Sequence, residues 1–395
     1  IGGATTSRLH TAVKISPSYD HPVIHVNDAS KSVTVVNKLV TAALRDAFIT
    51  ENADEYQKIR KKYQNRGKKK TYLTIGEARK NAVKIKWTDE SVKKPVKPGI
   101  HTFKNLPLKK LKEYIDWGPF FITWEMKGNF PAILDDPKAG KEARKLYDDA
   151  NELLDKIICD QLLTAHGVAG LFPANSVGDD IEVYADESRK EAAATLHTLR
   201  QQAKKRRGQP NKALADYIAP KETGLHDFIG GFAVTTGHGI EKLEKHFKAD
   251  HDDYNVILLK AIADRLAEAF AEYLHEKVRT ELWGYAPDEK LSNEQLIRED
   301  YTGIRPAPGY PAQPDHTEKP ILFDLLDVPD LTGIKLTESY AMHPASSVSG
   351  LYFAHPEAKY FNIGKIQKDQ VEDYAKRKGM SVEEVEKWLS PVLAY

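Results

Sequence analysis

Arg305 and Tyr310 stand in the run IRPAPGYPAQPDHTEK, residues 304–319, among Pro306, Pro308, Pro311 and Pro314. Each proline removes a backbone donor and restricts the residue before it, so this run is neither a regular helix nor a central strand. It is either an ordered extended surface or a solvated linker, and composition leaves both open. As an ordered surface it would suit a small ligand. Pro306, Ala307, Pro308 and Gly309 are small or fixed, their carbonyls stay free to accept, and a ligand can lie close to the main chain. The Arg305 guanidinium matches a carboxylate with bidentate geometry, and Tyr310 adds an aromatic face or a hydroxyl.

Other chemistry is sparse. There is no G-x-G-x-x-G after a strand, no G-x-x-x-x-G-K-[ST], no H-E-x-x-H and no G-x-S-x-G. TTGHG at 235–239 carries two glycines without the rest of a phosphate-binding pattern. His251, Asp252 and Asp253 are potential metal ligands, but acids are favoured at a helix N-terminus in any case, and no metal is expected. Cys159 is the single cysteine of 395 residues, which excludes a disulfide framework and fits a reducing cytoplasm.

These residues need a scaffold. The length predicts two or three domains. With 41% apolar and 29% charged residues the chain reads as globular, and a net charge of +1 gives no bias toward nucleic acid or membranes. No apolar run is long enough for a transmembrane helix. Residues 1–50 read as a piece of a doubly wound α/β domain. IGGATTSRLHTAVKI suggests a strand end, a glycine turn and a helix, Val23–Val26 a short strand, and Ser30 the cap of a helix through Phe48. We expect the earlier strands of that domain to be missing. Residues 51–100, with the basic run YQKIRKKYQNRGKKK and the segment KKPVKPG, read as a linker or as a strip for an acidic partner. Nucleic acid is disfavoured, because aromatics do not interleave with the basic residues.

Residues 101–395 mix helices and strands without βα alternation, which predicts an α+β domain with an antiparallel sheet. Expected elements are a short helix over Lys110–Asp116, a strand over WGPFFITW, an amphipathic helix over Glu142–Leu163, and two strands around a loop in GVAGLFPANSVGDDIEVYAD. Further on come a strand at FIGGFAVTTG, a long helix over Asp253–Leu282, and two or three strands in KLTESYAMHPASSVSGLYFAH and KYFNIGKI. Ser381 and Glu384 have capping-box spacing.

The stretch GIRPAPGYPAQPDHTEK resembles the S-adenosylmethionine-binding segment of the activation domain of cobalamin-dependent methionine synthases. YIDWGPFF, GLFPANSVGDDIEVY, HDDYN, ADRLAEAFAEYLHEKVR, WGYAP, LTESYAMHPASSVSGLYFAHPEAKYF and QVEDYAKRKGMSVEEVEKWL resemble blocks of the same family in the same order. IGGATTSRLHTAVKI and HVNDAS resemble the end of the preceding cobalamin-binding domain. The resemblance implies a central twisted antiparallel sheet with flanking helices over 101–395, preceded by a partial α/β cobalamin-domain remnant. It implies binding of S-adenosylmethionine and donation of its methyl to cob(I)alamin, which forms by one-electron reduction of inactive cob(II)alamin. It also implies the rest of methionine synthase, with its cobalamin domain, and flavodoxin or an equivalent reductase as partners.

Residue by residue, the resemblance implies that Arg305 holds the ligand carboxylate and Asp116 its ammonium. Ala307 and Gly309 would meet the adenosine through their backbones, and Tyr310 would sit toward the cobalt as the residue nearest the chemistry. Tyr360 and Phe361 would line the site. Phe361 replaces a tyrosine frequent in the family, so a polar role there is in doubt. Glu268 and Glu299 are nearby carboxylates. Gln313 stands where some relatives have cysteine. Asp116 as a plain helix cap and Tyr360 as a core tyrosine stay open as alternatives. Gly2, Gly3 and Ala29 fall near the cobalamin nucleotide tail in the family. The family's D-x-H-x-x-G motif is absent, so cobalamin is not expected to be retained by this chain. A stand-alone reactivator of a separate corrinoid protein and a flavodoxin-docking module are the alternative functions.

Overall fold

The computed structural model describes residues 7–26, 32–66 and 71–395. Gly2, Gly3, Ala29 and Ser30 lie outside the described residues. The chain divides into two compact units, Ile1–Thr71 and Tyr72–Tyr395.

In the smaller unit, Arg8–Ser18 is one continuous run of α, π and 3-10 turns, capped where the Ser7 hydroxyl accepts from the His10 N–H at 3.1 Å. Among the described residues the expected strand over Val23–Val26 is reduced to a single bridge residue, Val26. Its backbone is held by helix side chains instead: Asn52 Nδ2 donates to the Val23 carbonyl at 3.1 Å, and the His25 N–H donates to the Tyr56 hydroxyl at 2.8 Å. The helix expected to end at Phe48 is two helices, Ser32–Val40 and Ala42–Arg66. They break at Thr41, whose hydroxyl bonds back to the Asn37 carbonyl at 2.7 Å, a local competition that weakens a helix interior.

The linker expected over 51–100 therefore divides. Its first part is helix as far as Arg66, and from Tyr72 onward the chain is a strap on the larger unit. Leu73 exchanges backbone and side-chain bonds with Gln202, Arg79 pairs with Asp179 at 2.8 Å, and Trp283 Nε1 donates to the Lys93 carbonyl at 2.6 Å. Composition marked the segment as solvated, but its backbone groups have found partners.

The larger unit is built on a six-stranded antiparallel sheet in the order β4-β3-β2-β5-β8, with β1 also on β2. The strands are β1 Gly99–Phe103, β2 Thr164–Val177, β3 Asp180–Tyr184, β4 Ala192–His197, β5 Asp227–His238 and β8 Ser347–Tyr352; a small hairpin pairs β6 Lys335–Leu336 with β7 Met342–His343. β2 is long enough to take two neighbours along one edge, β1 at Gly167–Leu171 and β3 at Ala174–Val177. The expected loop at Pro173 is instead strand interior. Pro173 sits where the neighbour changes from β1 to β3, so no ladder partner on that edge needs its missing donor. The turn comes later, at Gly178, whose φ of +63° suits a tight hairpin.

Alternate residues of the strands face two cores. Phe228, Phe232 and Val234 meet the long helix Asp253–Lys277 and the helix Gly140–Cys159, whereas Ile229 and Ala233 meet Leu322, Phe323 and Leu326 of the helix Lys319–Leu326. Gly167 matters for this packing, since a β-carbon there would lie 2.7 Å from the Phe270 ring of the long helix. Leu266, Phe270 and Leu274 are fully buried by it, each worth about 1.5–3 kcal/mol relative to exposure.

Two further expectations change. WGPFFITW is not a strand but contains the helix Gly118–Thr123. Pro119 pre-sets its first turn, and the Asp116 carboxylate accepts from the Gly118 N–H at 2.8 Å. KYFNIGKI forms no strand; only Ile366 makes an isolated bridge, to Leu393. The long helix ends as read, with a π turn over Val278–Leu282. At Ser381 the hydroxyl accepts from the Glu384 N–H at 3.2 Å, half of the expected capping box.

Candidate functional site

The proline-rich run is ordered, and it extends the sheet. Ile304 pairs with Phe353 in both directions at 3.0 Å, and the Pro306 carbonyl accepts from the Leu351 N–H at 2.8 Å. A proline is tolerated there because only its acceptor is needed at a sheet edge. The chain then turns. The Tyr310 N–H donates to the Ala307 carbonyl at 3.1 Å, the Gly309 N–H to the Gln313 carbonyl at 2.7 Å, and the Gln313 N–H to the Tyr310 carbonyl at 2.9 Å. Gly309 has φ +94°, and a β-carbon there would lie 2.3 Å from His316 Cε1. Only glycine meets both conditions.

The far end of the run is anchored by buried charge. Lys378, on the helix Lys368–Lys378, bonds Asp315 Oδ2 at 2.9 Å, Thr317 Oγ1 at 2.6 Å and Glu318 Oε1 at 2.5 Å. Tyr374 donates to Asp315 at 2.7 Å, and Gln313 Nε2 donates to the His197 carbonyl at 2.6 Å. Lys378 holds the Asp315 carboxyl below its usual range although burial, the largest single effect, acts the other way.

Beside this run lies a cavity of about 420 Å³, lined among others by Asp116, Arg265, Glu268, Glu272, Glu299 and Arg305. The long helix supplies one wall, because 265, 268 and 272 share a face at helical spacing. Asn293 ties a second wall to a third by donating to the Ile115 carbonyl at 3.2 Å.

Arg305 is oriented from behind. Its Nη1 is 2.7 Å from Glu272 Oε2 and 3.3 Å from both the Tyr301 hydroxyl and His275 Nδ1, while its backbone N–H donates to the Tyr360 hydroxyl at 2.9 Å. No bond among the described residues engages Nε or Nη2, which leaves one edge of the guanidinium for a ligand. Since Arg305 donates to Nδ1, His275 carries its proton on Nε2. The ring is fully buried and stays neutral, with burial first and then Arg279 and Arg305 lowering its pKa. Behind Glu272, Arg279 binds Glu289 with its Nη2 at 2.7 Å, and the Tyr301 ring lies over the Arg279 guanidinium at 4.4 Å. A line of alternating charge thus runs from Glu289 through Arg279 and Glu272 to Arg305.

The site residues expected from the sequence divide into those that meet here and those that do not. Asp116, Glu268, Glu299 and Arg305 line the cavity. Asp116 also accepts from the first N–H of the helix Gly118–Thr123 through Oδ1, so the helix-cap reading of it holds while the side chain lines the cavity. Glu299 has φ +58°, and its carboxyl is held above the usual range, by burial first, with Arg305 opposing and Glu272 reinforcing. Tyr310 is not among the lining residues and is 56% exposed; its hydroxyl pKa is raised, by burial first and then by Glu268, with Arg265 and Arg305 opposing. Tyr360 does not belong to a strand; it reaches the site by bonding Arg305 and meeting the Tyr301 hydroxyl at 3.3 Å. Phe361 points elsewhere and packs against two apolar clusters that include Phe353 and Ile363.

Sequence reasoning missed Glu272, His275, Arg279 and Tyr301. Their trace was present: Arg265, Glu268, Glu272, His275 and Arg279 recur every three or four residues along one face of this helical run. Among the described residues no group of His, Cys, Asp and Glu is placed to hold a metal ion, and no helix is long and apolar enough to cross a membrane.

Two comparisons bear on this geometry. Residues 107–379 match the family model described as vitamin B12 dependent methionine synthase, activation domain. A solved structure, that of the MetH reactivation domain bound to AdoHcy, is 54% identical with a TM-score of 0.80, and the match covers 82% of this chain and 99% of that one. The cavity beside the proline-rich run is therefore carried by a chain that belongs to the activation-domain family of vitamin B12-dependent methionine synthase.

Proposed function

We propose that this chain binds S-adenosylmethionine in the cavity beside Arg305 and presents its methyl group to cob(I)alamin, restoring methionine synthase after oxidation. The observation that carries the reading is the guanidinium of Arg305, tied back through Nη1 with its other edge unengaged, in a cavity shared with Asp116. Arg305 takes the ligand carboxylate and Asp116, through the oxygen not used in capping, takes the ammonium. The Ala307 N–H and the Gly309 carbonyl, which no other described residue engages, remain for the adenosine. Tyr360 supports Arg305 from the backbone side, and Tyr310 at the rim faces the departing methyl. The volume of about 420 Å³ is in the range of small-molecule sites.

Little acid–base chemistry is required of these residues. S-Adenosylmethionine carries its own leaving group, a neutral thioether, so the protein contributes alignment. Cobalamin, when bound to its own domain of the enzyme, supplies the nucleophile. The family's histidine motif is missing from this sequence, and Gly2, Gly3 and Ala29 lie outside the described residues. The proposed partners are that cobalamin domain and flavodoxin or an equivalent one-electron donor, in the cytoplasm. We also propose that residues before about 50 are the end of the cobalamin domain and that 101–395 is the activation domain.

Calorimetry with S-adenosylmethionine tests the reading. Wild type binds, and Arg305→Ala, compared under conditions where both proteins are folded, loses about 1.5–3 kcal/mol of binding free energy. Equal affinity in the two proteins rejects the clamp.

A further inference from the structure

At the end of the proline-rich run a buried cation stands without a counter-charge. Arg279, Arg305 and Lys378 each face a carboxylate. Lys319 is 7% exposed, and among the described residues no carboxylate pairs with it; burial alone acts on its pKa, lowering it. Such a group is costly unless its donors are taken up. Two neutral acceptors take them. Nζ lies 2.8 Å from the Tyr340 carbonyl, in the turn of the β6–β7 hairpin, and 3.1 Å from His316 Nδ1. An ammonium donates and does not accept. His316 Nδ1 is therefore the acceptor, and the imidazole proton is on Nε2. The charges acting on the ring agree with this. Burial first and then Lys319 hold its pKa below the usual range. Asp315 opposes them, but its carboxylate is already engaged by Lys378, Thr317 and Tyr374. The ring fixed in this way lies against the turn at Gly309. A β-carbon there would come 2.8 Å from Nδ1 and 3.0 Å from Nε2, besides meeting Cε1.

We infer that His316 is a positioning residue for the ligand, held in one tautomer and one orientation by Lys319, and that its ring sets the backbone from Ala307 to Gly309 against which the adenosine lies. The inference rests on the S-adenosylmethionine reading and adds to it the device that shapes the adenosine side. Neither His316 nor Lys319 lines the cavity beside Arg305, so both act through the turn. An imidazole left free takes either tautomer and rotates about its side-chain bonds. Each alternative would set a different edge, with a proton or without one, against Gly309. Lys319 removes that choice before the ligand arrives, which lowers the ordering cost of binding. Lys319 is itself held at both ends. It opens the helix Lys319–Leu326, and the Tyr340 residue that takes its second bond has its ring 5.0 Å from that of Trp388.

The experiment joins nitrogen NMR of the imidazoles in the labelled 395-residue chain to calorimetric titration with S-adenosylmethionine. The titrations use wild type, Lys319→Met, His316→Ala and the double variant, each where circular dichroism shows it folded. Ligand-free wild type at neutral pH should show His316 with a protonated Nε2 and a bare Nδ1, and Lys319→Met should show both tautomers. Affinity should fall about tenfold in His316→Ala and about fivefold in Lys319→Met, the scale of one lost hydrogen bond. The double variant should bind no more weakly than His316→Ala, because Lys319 acts only through the ring. A wild-type ring with its proton on Nδ1 overturns the inference, and that measurement needs no variant. Wild-type affinity in Lys319→Met overturns it, and so do losses that multiply in the double variant. If the expected tautomer is found and S-adenosylmethionine does not bind wild type, the ligand reading fails while the hold of Lys319 on His316 stands.

Discussion

At the scale of single residues, the site depends on how one guanidinium is held. Arg305 would be a flexible side chain on a rigid backbone if nothing gripped it. Glu272, Tyr301 and His275 all meet its Nη1, and Tyr360 fixes its backbone N–H. A group ordered before the ligand arrives has less conformational freedom to lose on binding. Asp227, at the start of β5, shows the opposite use of burial. It is 6% exposed, and burial raises its pKa from 3.8 to about 6 despite bonds from the Ala219 and Phe228 N–H groups. A raised folded-state pKa means that the folded chain binds more protons than the unfolded one between those two values. The contribution of Asp227 to stability is therefore full below pH 3.8 and is lost as pH rises through about 6. Denaturant unfolding of wild type and Asp227→Asn at pH 4 and pH 7 should show the difference between them shifting by up to about 3 kcal/mol, in favour of wild type at the lower pH. A pH-independent difference would mean that the carboxyl stays ionised.

At the scale of elements, the proline-rich run works as an added edge of the sheet, clamped at both ends. Its N-terminal end pairs through Pro306 with Leu351 of β8 and through Ile304 with Phe353 just beyond it, and its C-terminal end is locked by Lys378 to Asp315 and Glu318. All three charged groups are 5% exposed or less in their side chains, so removing the cation strands two buried carboxylates. Lys378→Met is expected to cost about 3–5 kcal/mol of unfolding free energy, the usual result of breaking a buried ion pair on one side. Where the variant still folds, its affinity for S-adenosylmethionine should fall although residue 378 does not line the cavity. Chemical denaturation and calorimetry on the same preparation check both effects. Unchanged stability would show that the three groups are not ionised together.

At the scale of the whole molecule, the two compact units divide the work. The larger carries the cavity beside Arg305, which on the proposed reading takes S-adenosylmethionine, and on the same reading the smaller is the tail of a cobalamin-binding domain. Gel filtration of the chain after incubation with cobalamin should give cobalamin-free protein, followed by its visible absorbance. Retention near one equivalent would overturn the expectation drawn from the missing histidine motif. What the sequence determined by itself were the features set by local periodicity and by residue chemistry. The long helix Asp253–Lys277 and the strand of β5 belong to that class, because a helical period and a short apolar run are visible within a few residues. Only the tertiary structure decided the rest. WGPFFITW has the composition of a strand, yet the Asp116 cap and Pro119 turn it into helix, and Phe120 and Phe121 both reach the core. The strap from Tyr72 looked solvated, but its partners are more than a hundred residues away, at Gln202 and Trp283. Glu272, Tyr301 and His275 become a support for Arg305 only when the long helix is laid across the sheet, since sequence spacing carries no information about which buried charges will meet.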